Sequence, residues 1–161
     1  MKRPNILHRL IHRVLMIRPV TEFLAPRTKS IDSFFLKITK GRYTLTKLAG
    51  WNIVQVTTVG MKSGREIKII LIAIAHEDKL ALIASNFGRP DHPKWYFNLL
   101  KTPECKVQLN GVDQLCVARE AEGEERENFW QLAVDHYAGY EKYKERAAPR
   151  RIPVMLLEPL K

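Results

Sequence analysis

Two β-type runs, the alternating residues 51–56 and the apolar residues 67–75, flank the segment T-T-V-G-M-K-S-G-R at positions 57–65. Gly60 and Gly64 in so short a connection require a tight strand-to-strand turn, which commits this part of the chain to an antiparallel sheet. Glycines let backbone N–H groups converge on an anion, and Lys62 and Ser63 add a charge and a hydroxyl, chemistry suited to a phosphate. The same residues also describe a solvated hairpin tip, and on this motif alone both readings stand.

A second stretch, A-S-N-F-G-R-P-D-H-P-K-W-Y-F-N-L at positions 84–99, ends a strand predicted over 79–84. It then passes through a Gly/Pro-rich loop and Pro93 into a short helix over 94–101 that bears Trp95, Tyr96 and Asn98. Fixed turns, an amide and neighbouring aromatics form a rim for a planar ligand. Trp95 is equally suited to packing the helix onto the core.

Residues 104–118 read as a hairpin turning at Asn110-Gly111, which sets Cys105 opposite Cys116. Two cysteines in a chain without a secretory signal pattern are expected to stay reduced, and neither has a neighbouring His or zinc-type spacing. A helix is predicted over 122–137, with acids in its first turn and Phe129, Trp130, Ala133, Val134 and Tyr137 as its buried stripe. A last strand follows at 154–157. Tyr137, Tyr140 and Tyr143 recur every three residues, so a helix over 138–144 brings their phenols to one side. His8 and His12 lack a third ligand nearby, and no metal site is expected. Ser63 and Ser85 have no His/Asp context of a hydrolase.

The net charge is +10, and its location matters more than its size. Residues 1–50 carry eleven Lys and Arg against two acids, whereas residues 51–161 carry sixteen against fifteen. A near-neutral folded part argues against nucleic acid as a partner. In the arm, Ile6, Leu7, Leu10, Ile11, Val14 and Leu15 follow helical spacing between basic flanks over residues 5–17, and Arg18-Pro19 ends the run. It is too short and too interrupted to span a bilayer. Such an arm suits an anionic membrane surface or an anionic ligand tail. The competing reading packs it on the folded body or across a homodimer. A second apolar face, with Ser30 as its cap, is predicted over 30–40. The chain thus divides into a basic helical arm, 1–50, and a folded domain, 51–161.

In order and spacing, the two opening stretches resemble the deazaflavin-dependent nitroreductase family, together with E-G-E-E-R-E-N-F-W at 122–130, Y-A-G-Y-E-K-Y at 137–143 and I-P-V-M-L-L-E-P at 152–159. The resemblance implies an α+β fold: a split β-barrel of the FMN-binding type, antiparallel and of about six strands, with flanking helices. It further implies an oxidoreductase that moves hydride from reduced deazaflavin coenzyme F-420 to an electron-poor small-molecule acceptor, a quinone or nitroaromatic. By the same resemblance Lys62, Ser63 and Gly64, helped by Arg65 and Lys68, hold the coenzyme phosphate. Ala84, Ser85, Asn86, Pro93, Trp95 and Asn98 form the deazaflavin slot, the basic arm meets the glutamate tail, and Tyr137, Tyr140 and Tyr143 close over the acceptor. Tyr140 is the expected donor to the oxygen that gains charge. The chain departs from the family pattern at Met61 and Ile67, where arginine is usual, and at Ile70, where proline is usual. FMN or haem therefore stands as an alternative ligand, and a non-enzymatic membrane-surface module as an alternative function. The expected location is cytoplasmic, peripheral at the inner face of the membrane.

Overall fold

The computed structural model describes residues 52–160 together with Pro19. The helices expected at 5–17 and 30–40, and the division at residue 50, lie outside the described residues.

Six strands close into one antiparallel barrel in the order β1-β2-β3-β6-β5-β4. They are β1 (Ile53–Val59), β2 (Glu66–His76), β3 (Lys79–Ile83), β4 (Glu104–Leu109), β5 (Val112–Glu120) and β6 (Val154–Pro159). Helix α1 (Lys94–Lys101) joins β3 to β4, while α2 (Gly123–His136) and α3 (Gly139–Ala147) join β5 to β6. Pairing of β1 with β4, from Val54 opposite Leu109 to Thr57 opposite Lys106, closes the barrel. Most strands run beyond the alternation that announced them: β1 continues through Val59, β5 to Glu120 and β6 to Pro159. Ladder bonds to neighbouring strands carry these ends where the side-chain pattern is neutral.

Inside the barrel Val54, Val56, Ala73, Leu82, Cys105, Val107, Cys116, Ala118, Met155 and Leu157 pack together, and Leu99 of α1 adds to them. A second core lies between α2, α3 and the outer faces of β2, β3 and β6, built from Ile74, Ala81, Ile83, Phe129, Trp130, Ala133, the three tyrosines, Val154 and Leu156. β3 and β6 therefore bury alternate residues against different partners, which is why both read as unbroken apolar runs. β1 keeps its alternation because only its inward side is covered, by Val54, Val56 and Thr58. Asn110 and Gly111 both take positive φ, 53° and 85°, as a two-residue hairpin turn demands. Cys105 pairs with Cys116 in register, and both are buried free thiols. Burial, with Cys116 alongside, pushes the Cys105 thiol up to about 12.

Antiparallel closure gives the barrel two unlike ends. The β2–β3 and β4–β5 turns share one end. At the other are the β1–β2 turn, the loop leaving β3, and the points where α1, α2 and α3 connect to the strands. None of the helices among the described residues is long and apolar enough to cross a membrane.

Helix α2 is fastened to the barrel by charge as well as by its apolar stripe. Arg119 of β5 forks onto Glu125 at 2.7 and 2.9 Å and also reaches Glu158 of β6 at 2.8 Å. Lys79 of β3 meets the same two carboxylates at 2.7 and 3.3 Å. Hydrogen bonds from Arg119 and Lys79 hold the Glu125 carboxyl down at about 2. A carboxyl lowered on folding stabilises above its unfolded range and loses that contribution as pH falls through its folded value. The cluster is partly exposed, so solvent screening discounts the effect. Glu125→Gln is expected to lower stability at pH 7 by about 1 kcal/mol, and denaturant melts should show the difference shrinking from about pH 4.5 down to pH 2. A difference constant across that range would mean that packing, and not charge, holds the first turn of α2.

Candidate functional site

The β1–β2 turn, residues 60–65, is built for one shape. A Cβ at Gly60 would lie 2.5 Å from Ser63 Oγ and 2.8 Å from Ile67 Cδ1, and Gly64 has φ +63°. Gly60 N donates to Arg65 O and Gly64 N to Gly60 O, each at 2.8 Å, and Arg65 N donates to Ser63 Oγ at 3.3 Å. Met61 spans the gap to α1: its N–H donates to Asn98 Oδ1 at 3.0 Å, and its carbonyl accepts from Lys101 Nζ at 3.1 Å. The buried Asn98 is therefore the joint between the two stretches singled out in the sequence. Four of the six amides of the turn are thereby engaged, and those of Lys62 and Ser63 have no acceptor among the described residues. Lys62 and Arg65 are exposed and have no acid partner among the described residues, whereas Lys79, Lys106, Arg119 and Lys142 each do. Free amides beside unpaired cations make a donor set for an anion.

The loop after β3 is strained in a defined way. Asn86, Phe87 and Gly88 in succession take φ of 49°, 59° and 76°. A left-handed non-glycine residue costs about 1–2 kcal/mol, so this path persists only because its surroundings dictate it. Asn86 Nδ2 donates to Asp91 O at 2.9 Å, and Gly88 N to Ser85 O at 2.9 Å. A Cβ on Gly88 would lie 2.8 Å from Arg146 Cβ and 3.0 Å from Tyr143 O, so only glycine lets the loop lie this close to α3. Phe87 meets the Tyr143 ring edge-on at 6.1 Å. The strongest contact comes from Arg150, ahead of β6. Its guanidinium donates to Ala84 O at 3.2 Å, to Ser85 O at 2.8 Å and to Arg89 O at 2.9 and 3.1 Å. It also lies 3.2 Å from His92 Nδ1. Arg150 escaped the sequence reading, and its spacing offers no signal, since its acceptors are main-chain carbonyls about sixty residues away.

On the far side of His92 the rings of Tyr96 and Phe97 lie at 5.0 and 5.9 Å. Tyr96 donates to Glu120 Oε2 at 2.7 Å, and burial together with that bond raises its phenol to about 12. Trp95 packs half-buried on the barrel core, the structural reading of that residue. Pro93 caps α1.

Tyr137, Tyr140 and Tyr143 lie together, with ring centroids 5.7 to 6.1 Å apart. Tyr140 and Tyr143 share α3 as the spacing predicted, whereas Tyr137 is extended, at the end of α2. Gly139 leaves room for the Tyr137 ring, whose atoms occupy the place of a Cβ. All three are buried, and burial raises each phenol. Tyr140 packs between Trp130 and the other two rings, whereas Tyr143 meets the loop. Trp130 Nε1 donates to Glu141 Oε1 at 2.7 Å and so fixes α3 against α2.

One continuous arc results: the turn bearing Lys62, Ser63, Gly64 and Arg65, then α1 with Asn98, then His92, Arg150, the loop of Ala84, Ser85 and Asn86, and Tyr143. Lys68 stands apart. It projects from the outer face of β2 into a cavity of about 300 Å³ lined also by Thr57, Glu66, Lys106 and Gln108. No group of three or more His, Cys, Asp or Glu among the described residues could hold a metal.

Residues 32–159 match the family described as F420H(2)-dependent quinone reductase. A Mycobacterium tuberculosis protein, provisionally named an F420H(2)-dependent quinone reductase, is 31% identical over 98 residues, 61% of this chain and 82% of the relative. A solved structure of an F420-H2 dependent reductase (FDR-A) is 42% identical, covers 66% of this chain and 94% of its own, and superposes with a TM-score of 0.61. Another, described as a domain-swapped dimer, is 36% identical over 86% of this chain and 98% of its own, with a TM-score of 0.63. The barrel is thus the expected split-barrel type, and the cofactor is coenzyme F-420 rather than FMN or haem. The amides, cations and backbone cradles of the arc fit such a planar, anionic group. The chain belongs to the F420H(2)-dependent quinone reductase family and is an F-420-dependent oxidoreductase.

Proposed function

We propose that this chain binds reduced F-420 along the arc and passes its hydride to a quinone, with nitroaromatics as a second acceptor class. The observation that carries the reading is the turn itself: Lys62 and Arg65 without an acid partner and two amides without an acceptor among the described residues, docked through Asn98 onto the helix that follows the loop. Lys62, Ser63, Gly64 and Arg65 hold the phosphate, with Lys68 a further cation along β2. Ala84, Ser85, Asn86, Pro93 and Asn98 hold the deazaflavin, and Trp95 backs the slot from its place on the barrel core. The bound coenzyme supplies the hydride; the protein binds, orients and excludes water. Reduction of a quinone to its hydroquinone takes one hydride and one proton. Phenols raised by burial stay protonated at neutral pH, so the tyrosines donate a hydrogen bond to the oxygen that gains charge, and solvent supplies the proton. The family name and the loop contact of Tyr143 support this reading.

The amphipathic pattern of residues 1–19, of which 1–18 lie outside the described residues, supports a peripheral position on anionic membranes, where lipid-soluble quinones partition. The domain-swapped dimer among the relatives supports a homodimer. Sedimentation of the full chain and of a form truncated at Val20, with and without anionic vesicles, reads both: the full chain should pellet with vesicles, and the truncated form should not. Equal pelleting would remove the arm's membrane role, and a monomer at all concentrations would remove the dimer.

Lys62→Glu replaces attraction by repulsion at the phosphate and should weaken coenzyme binding at least about tenfold, about 1.4 kcal/mol. Unchanged affinity in a fluorescence titration would remove the phosphate from this turn. Tyr143→Phe should leave affinity alone and slow quinone reduction about tenfold, the loss of one positioning hydrogen bond. Tyr140→Phe should have a smaller effect, given the rings around it. Parental rates in both variants would make the tyrosines core aromatics only.

A further inference from the structure

All five N–H donors of the Arg150 guanidinium are committed: Nε to Arg89 O, Nη1 to Ala84 O and His92 Nδ1, Nη2 to Ser85 O and Arg89 O. No carboxylate is among these partners. Three main-chain carbonyls are drawn onto one planar cation, and they bracket the three consecutive left-handed residues Asn86, Phe87 and Gly88. A lysine presents three donors from a single point and cannot reproduce the fork. The fifth bond has a further requirement. Nη1 can donate to Nδ1 only while that nitrogen carries no proton, so His92 must be the neutral tautomer with its hydrogen on Nε2.

We propose that Arg150 is a positioning residue of the coenzyme loop, a latch that shapes residues 84–89 for the deazaflavin and that opens when His92 is protonated. The inference rests on the reading that this loop lines the coenzyme site. A proton on His92 Nδ1 would turn an acceptor into a donor and set a second cation 3.2 Å from the first. The groups around His92 are Arg150 ahead of β6, Asp91 on its own loop, Glu120 at the end of β5, and Tyr96 and Phe97 on α1. Glu120 is already engaged by the Tyr96 hydroxyl. Burial and then Arg150 lower the His92 pKa, against the opposing pull of Glu120 and Asp91. For a histidine lowered in the latched state, the latch is complete above about pH 6.5 and weakens as pH falls below it.

The test is a fluorescence titration of the full-length protein with oxidised F-420 from pH 5 to 8, for the parent, Arg150→Lys, Arg150→Met, His92→Asn and Ser85→Leu, with melting temperatures of the unliganded proteins alongside. At pH 7.5 both Arg150 variants should bind at least about tenfold more weakly, with the KM for the quinone unchanged. Parental affinity should fall between pH 6.5 and 5 by more than that of His92→Asn. Titration of the coenzyme itself is common to both proteins, so the difference between the profiles reports His92. Folded Arg150 variants that bind as the parent does, while Ser85→Leu abolishes binding, would overturn the latch and leave the loop in the site. Parental binding by Ser85→Leu and the Arg150 variants alike would overturn the loop's place in the site as well. If the Arg150 variants do not fold, coinciding pH profiles of the parent and His92→Asn overturn the proposal and diverging ones support it.

Discussion

Everything at the functional end depends on the pairing of β1 with β4. That ladder closes the barrel and carries the end of β1 beside α1, which leads into β4. Once the two are neighbours, a single buried amide suffices to join them: Asn98 accepts from Met61 N, and Lys101 takes the Met61 carbonyl. An open sheet would leave the cationic turn at one edge and α1, with β4, at the other. A closed one gathers both within one rim, and the anionic and planar parts of a coenzyme can then be met together.

That closure also explains the departure at Met61. The resemblance implies arginine there, and the loss of a cation would weaken a phosphate site built from side chains alone. Here Met61 engages through its backbone, and the amides at Lys62 and Ser63, with the charges of Lys62 and Arg65, are left without partners among the described residues. The side chain at position 61 is exposed and its main chain is the hinge pin, so the turn keeps its shape under that substitution.

Local features were legible in the sequence. The Asn110-Gly111 turn set the Cys105–Cys116 register, alternation marked β1, Pro93 and the helical pattern bounded α1, and a three-residue spacing put Tyr140 and Tyr143 on one helix. Contacts that join distant segments were not. Arg150 looks like one basic residue in a basic tail because its acceptors are carbonyls, which every residue possesses. The left-handed path through Phe87 was equally hidden, since no propensity favours it and the surrounding bonds impose it. The inward Thr58 reads as an ordinary strand threonine although its hydroxyl is buried with no partner among the described residues. The placement of Tyr143 rather than Tyr140 against the loop likewise depends on Gly88 and α3, two elements whose proximity no periodicity encodes.

The barrel's unlike ends also separate what must stay fixed from what can be altered. The turns at Glu77-Asp78 and Asn110-Gly111 lie opposite the rim, are exposed, and touch none of the arc. Lengthening a surface connection costs little closure entropy, and such tips tolerate insertion. An affinity handle, a surface-attachment point or a fused electron donor grafted at either turn would sit at the end of the barrel opposite the cationic turn and the Ala84 loop, a polarity useful for immobilising the enzyme in one orientation.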